Sequence, residues 1–309
     1  MSIIKNKKIL FALTFILVFV SFFYIKFPHE RLKRRIVFEI ERNTRFDAQI
    51  DKVKIIPLLK IEIKGLKLTK NDQEVIVPKA VFKPSILSLL SNDIDVGFDL
   101  KVFSGKAFGD LTVSKDSNQL KTILINIEKV DVDKIRTIYS KSAKENVELS
   151  GLLNGSLNLR ADNTGGFDFY IEDLDVLKLS VNNFTLPEFI DLRSNLKGQI
   201  YRDKTIINEL KLDNSEISLK LKGSTPPLWR LSKGSIDLLY RLEVKGKKYA
   251  YLKSILSKDK RGNVEGKIVG SIKNPQLKKA NDRRAKPRRQ QGGGPQYRKT
   301  FSPKKQHAI

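Results

Sequence analysis

No cysteine occurs in the 309 residues, and only two histidines do, His29 and His307. Thiol catalysis, disulfides, iron–sulfur ligation and zinc fingers are thereby excluded, and with both histidines in terminal segments no Ser-His-Asp set can be assembled. Acid is scarce at both ends. Residues 1–35 carry eight Lys or Arg against one acid and residues 278–309 carry eleven against one, so of the net +25 only +8 belongs to the 242 residues between. Long apolar runs are scarce too, and the single one present decides the class of protein.

Residues 9–25 (ILFALTFILVFVSFFYI) contain no charge and are bracketed by Lys8 and Lys26. As a helix they reach ~25 Å, the lower limit for a bilayer span, and the flanking lysines can snorkel to make up the difference. Lys5, Lys7 and Lys8 also suit a cleaved signal peptide, but the run exceeds the usual apolar length and ends in Ser21-Phe22-Phe23-Tyr24, without small residues at a cleavage spacing. The run is therefore read as an uncleaved anchor. Charge does not orient it, because Lys26, Arg31, Lys33, Arg34 and Arg35 balance the N-terminal lysines, and long domains translocate regardless of such counts.

After a tail over 1–8 and the anchor over 9–25, residues 26–43 are expected to form a basic amphipathic stalk helix. Leu32, Ile36 and Ile40 recur at steps of four among charges. That stripe either packs on the following domain or lies on anionic headgroups. From residue 44 to 277 the period changes to two. Alternating runs at 50–55, 61–68, 95–103, 152–159, 167–171, 196–201 and 264–272 read as strands, with a slip across Gly65 that signals a bulge, and 207–212 with 216–221 reads as a hairpin. Two internal helices are expected, over 84–90 with Pro84 in the first turn and over 132–144 with Ile135, Ile138 and Tyr139 on one face. The class is mainly β (β or α+β), an elongated antiparallel body. Strict alternation leaves one sheet face apolar, as at Leu210, Leu212, Ile217, Leu219 and Leu221. A soluble body does not leave such a face bare, so it is expected to close on a partner element, the alternative being a groove for something apolar. Residues 278–309, with Gly292-Gly293-Gly294, three prolines and no aliphatic run, read as a disordered basic tail.

The chemical constellations are thin. Asp93/Asp95, Asp131/Asp133 and Asp173/Asp175 resemble paired carboxylates, yet each pair flanks an apolar residue, the pattern of a solvent-facing strand side, and none has a third ligand or a base beside it. Gly262, Gly266 and Lys267 have the outline of a phosphate loop but the wrong spacing, with Ile268 in place of Ser or Thr. Asn183-Phe184-Thr185 is a glycosylation tripeptide too common to carry weight. The tail's cations, interspersed with Tyr297 and Phe301, read first as a solvated basic tail with no dedicated partner and next as attracted to anionic lipid headgroups; nucleic acid is the least favoured partner and requires a cytoplasmic tail, which would make the protein a membrane-tethered nucleic-acid binder. No catalytic, cofactor-binding or metal residue is expected, no cofactor, and no enzymatic activity.

The order of elements nevertheless has a recognisable form. A span and a Phe27-Pro28, Arg31-Leu32 stalk precede Gly65-Leu66-Lys67-Leu68 and Val81, Pro84-Ser85, Leu87, Leu89-Leu90. There follow Leu149, Gly151, Leu153, Gly155 and Leu157 at alternate positions, and the body closes on Gly266, Ile268, Gly270, Ile272 and Pro275. Over about residues 5–277 this resembles the bacterial type II secretion system protein N (GspN) family and, more distantly, AsmA/TamB-like periplasmic proteins. The resemblance implies a single-pass protein of the bacterial inner membrane with a periplasmic β-rich body, acting without catalysis in type II secretion or envelope assembly, in contact with inner-membrane lipids and other secretion components. The AsmA-like alternative is a lipid-handling module whose apolar sheet face receives phospholipid acyl chains.

Overall fold

The computed structural model describes residues 14, 15, 18, 26–44, 46–57, 59–70, 73–117, 119–136, 147–181, 184–186, 188–227, 230, 234–250, 252, 264–271 and 274–279. Among them no helix is long and apolar enough to cross a membrane. Of the expected span, Thr14, Phe15 and Val18 are described and helical; the remainder of 9–25 lies outside the described residues, as does the tail beyond Lys279.

The chain is mainly β. Helix α1 (His29–Thr44) leads into β1 (Asp47–Ile56), β2 (Lys60–Lys70), β3 (Gln73–Pro84), β4 (Asp93–Val102), β5 (Gly105–Ser114) and β6 (Leu120–Asp131). A short helix, α2 (Val132–Arg136), precedes β7 (Val147–Arg160), β8 (Gly165–Val181), β9 (Phe184–Leu186), β10 (Phe189–Ile200), β11 (Thr205–Asp213) and β12 (Ile217–Thr225), and β13 (Ser235–Val244), β14 (Val264–Ser271) and β15 (Asn274–Lys279) complete the order. All strands belong to one sheet in which each pairs antiparallel with its sequence neighbours, β9 alone lying off the path beside β8. Such a meander needs only short connections and keeps one face of every strand on one side of the sheet.

Each alternating run of the sequence falls in a strand. Strands β3, β5, β6, β9, β13 and β15 add to them. Most of these additions carry apolar residues on both faces, as in Val75-Ile76-Val77, Ala107-Phe108, Ile123-Leu124-Ile125 and Leu238-Leu239-Tyr240, which blurs the period of two. The helix expected over 84–90 is reduced to a 3-10 turn at Leu87–Leu90. Pro84 still pairs with Val96 and the Ser85 N–H donates to the Asp95 carbonyl at 2.8 Å, so the strand ladder takes the residues the first helical turn needs. The helix over 132–144 is seen as α2 to Arg136; residues 137–146 lie outside the described residues.

The slip at Gly65 is not an added residue. Ile50 faces Leu66 and Lys52 faces Lys64 in one unshifted register, and Leu66 faces Val77 while Lys64 faces Lys79 in the next. Three adjacent strands change faces at the same level, so that Ile50 and Val53, Ile63 and Leu66, and Val77 and Ala80 all join one cluster. Gly65 turns the chain with φ +61°, and a β-carbon there would collide with the Asp51 carboxylate; Pro78 sits at the matching position of β3. We expect Gly65→Val to cost about 1–3 kcal/mol, because a β-branched residue is held in the left-handed region. A denaturant midpoint lowered at constant slope will register it, and an unchanged midpoint would contradict it.

Two cores flank the middle of the sheet. At one end Leu32, Ile36 and Val37 of α1 pack onto Ile50, Val53, Ile63, Val77 and Ala80. Two of the three stripe residues of α1, Leu32 and Ile36, thus pack on the body, with Val37 beside them. At the other end Leu174, Val176, Leu192, Ile217, Leu242 and Val264 gather around Tyr249 and Leu252, with Phe189 stacked on Tyr249 at 5.1 Å. Where closure is expected, Ile217 is part of this second cluster and Leu212, Leu219 and Leu221 pack against it; along the middle of the sheet, apart from strand neighbours, the substantial packing partners among the described residues are α1 on β1, α2 on β7 and the 3-10 turn on β4.

Candidate functional site

Residues opposite one another in an antiparallel ladder share a face, so the register can be followed strand by strand across the sheet. One row runs Val53, Ile63, Ala80, Leu100, Ala107, Ile127, Gly155, Phe169, Leu196, Leu210, Leu221, Tyr240, Gly266. The next runs Ile55, Ile61, Phe82, Phe98, Gly109, Ile125, Leu157, Phe167, Gly198, Ile207, Gly223, Leu238, Ile268, Leu277. Over the strands named every position in both rows is apolar, aromatic or glycine; beyond Gly266 the first row passes to Lys279 in β15. At ~4.8 Å between strands the stripe is ~60 Å long.

The glycines in these rows have a job beside the rings. A β-carbon at Gly155 would sit 2.6 Å from Phe169 Cδ1 and one at Gly266 2.5 Å from Tyr240 Oη, and one at Gly198 would strike Phe167. Each ring therefore lies across its neighbour strand's glycine instead of standing off the sheet, which keeps the floor low and smooth. Phe167 and Phe169 stack at 5.9 Å. Towards the C-terminal end the floor curls: Val176 of β8 and Leu277 of β15 line one cavity of about 290 Å³ although five strands separate them, with Leu212, Leu219, Leu221 and Tyr240 between. That is just below the ~300–1,000 Å³ of small-molecule sites.

The opposite face is mixed, with Phe108, Leu124 and Leu239 among its residues, and its charges are largely paired with one another. Lys197 meets Asp168 at 2.9 Å, Lys79 meets Glu62 at 3.0 Å, and Arg241 meets Glu265. On the apolar side the Tyr240 phenol is the one ionisable group in the two rows, and burial pushes its pKa up, so it stays neutral. The strands' backbone donors and acceptors lie in the plane of the ladder. A ligand on this floor therefore finds hydrocarbon and almost nothing to hydrogen-bond.

The paired carboxylates stand elsewhere and serve the fold. Asp93 pairs with Lys121 at 2.6 Å and Asp95 accepts from the Thr112 hydroxyl at 2.8 Å. Asp131 accepts the Asp133 N–H at 3.0 Å at the start of α2, and Asp175 accepts the Asp191 N–H at 2.9 Å where β8 and β10 shift register. Among the described residues no three His, Asp or Glu groups converge on a metal-sized point. Gly266 and Lys267 lie in β14, paired with β13 and β15, while Gly262 and Asn183 fall outside the described residues. His29 opens α1. The glycine and aliphatic spacings that carry the family resemblance fall in β2, β7 and the β14–β15 hairpin, where Gly270 faces Pro275. No protein family, curated protein or solved structure matches the chain. What fold and site define is an open antiparallel meander with one apolar face.

Proposed function

We propose that the protein is a membrane-anchored, non-enzymatic lipid-binding protein whose apolar sheet face receives acyl chains. The supporting observation is the pair of apolar rows crossing the strands of the meander, joined to the lack of any second layer over β5 and β6 among the described residues, α2 being the short element packed on β7. A polar ligand, peptide backbone included, would bury unsatisfied groups on this floor at ~1–3 kcal/mol each. A hydrocarbon chain is linear, flexible and free of such groups, and its headgroup stays at the rim in water. The anchor over 9–25, a bacterial inner-membrane location with the body on the periplasmic side, and a role in envelope assembly alongside type II secretion belong to the same reading. Of the two family resemblances, the AsmA/TamB-like one accords better with the bare face, since a scaffold has no need to leave it open.

A phospholipid with a photoactivatable group in mid-chain tests the reading on the full-length protein in membranes. Crosslinks are expected on the apolar residues of β5–β7, Ile123, Ile125, Ile127 and Leu157 among them. Crosslinks confined to residues 9–25 would contradict it.

A further inference from the structure

The two edges of the sheet differ over β1–β6. On the edge carrying the β1–β2, β3–β4 and β5–β6 connections, five large aliphatic residues are exposed: Leu59, Ile86, Leu87 at 80%, Leu90 at 90% and Leu120. On the opposite edge, at the β2–β3 and β4–β5 connections, no large hydrophobic side chain among the described residues is exposed, the nearest being Ile76 at 52%, three residues into β3. Exposed aliphatics scattered singly are ordinary, but a cluster on one rim marks a contact surface.

The cluster is held out by construction. In the 3-10 turn between β3 and β4, the Ser88 hydroxyl donates to the Ser85 carbonyl at 2.8 Å and accepts the Asp95 N–H at 3.0 Å. The Lys115 amine donates to the Ser91 carbonyl. With Ser88 buried, Leu87 and Leu90 are turned to solvent. Lys60 and Lys83 stand on the same rim, and Lys121 is held there by its pairing with Asp93.

The path of α1 says what this rim meets. Thr44 ends the helix three residues before β1 begins, the Glu41 carboxylate accepts the Ala48 N–H and the Lys33 amine donates to the Asp51 carbonyl. Helix α1 therefore runs antiparallel along β1, and its first residues point to the edge that carries Leu87 and Leu90. Lys26, at the end of the proposed anchor, lies just upstream.

We propose that this rim docks on the bilayer from which the anchor emerges, with Ile86, Leu87 and Leu90 entering the headgroup–acyl boundary and the lysines facing anionic headgroups. The trough, open beyond the cover of α1, thereby has its near end beside the membrane surface. The inference rests on the anchor of the proposed function and not on acyl-chain binding in the trough.

Because the chain has no cysteine, single labels are clean. Leu87→Cys, Leu90→Cys and, at the other end of β4 and ~30 Å away, Ser104→Cys each carry an environment-sensitive fluorophore on the full-length protein in vesicles of phosphatidylcholine and phosphatidylglycerol. With lipids nitroxide-labelled near the headgroup, the labels at 87 and 90 should shift to the blue and lose most of their emission, and the label at 104 should keep its own. Protein that floats with the vesicles but shows equal, weak quenching at all three positions would overturn the docking and leave the anchor standing. Failure to float would overturn both, whereas loss of trough-bound lipid with quenching retained would count against the trough alone.

Discussion

Ile125→Asp is expected to leave the protein folded and to strip it of bound lipid. Ile125 stands in mid-sheet, opposite Gly109 and Leu157, and belongs to neither buried cluster. A carboxylate there stays in water when the trough is empty, so the cost to folding is the lost half-burial of one isoleucine, about 1 kcal/mol, or a few degrees of melting temperature for a body of this size. A hydrocarbon chain lying over it must desolvate the charge, a penalty of several kcal/mol. Lipid carried by the variant should fall more than about tenfold. Normal lipid load would mean that the chains lie elsewhere.

The same substitution on the same face has the opposite outcome at Ile63. That side chain is 3% exposed, packed among Ile50, Val53, Val77 and Ala80 beneath Leu32 and Ile36 of α1. Ile63→Asp buries an unpaired charge at a cost of several kcal/mol against a total stability of about 5–15 kcal/mol. The expected result is loss of the cooperative unfolding transition at the β1–β3 end, read as uniform hydrogen exchange in α1 and β1. Retention of wild-type protection there would show that α1 does not cover the sheet. The two variants differ only in what lies above an isoleucine of the same sheet face.

That difference marks the limit of what the sequence discloses. The alternation of Leu210, Leu212, Ile217, Leu219 and Leu221 announces a one-sided sheet, and the stripe Leu32, Ile36, Ile40 announces a helix, because both depend on spacing along a single segment. Whether a face is covered depends on where α1 lies, and the coupling of Gly155 to Phe169 or Gly198 to Phe167 depends on register between strands. Neither is a property of one segment. The coordinated change of face at Asp51, Gly65 and Pro78 reads as a bulge for the same reason: one strand shows the slip, and only its neighbours show that no residue is added. At Pro84 the local signal misleads, since a proline suited to a first helical turn is kept in extended pairing by β4, and the turn that remains exposes the aliphatics a helix would have buried.

The central claim is that the bare face carries acyl chains, and the lipid content of the purified full-length protein tests it most directly. Wild type and Ile125→Asp, extracted and purified side by side, share any lipid held around residues 9–25, so the difference between them reports the trough. The account predicts at least one phospholipid per wild-type protein above the variant, measured by mass spectrometry of the extracted lipids. Equal lipid content in the two, with both proteins folded, would contradict it.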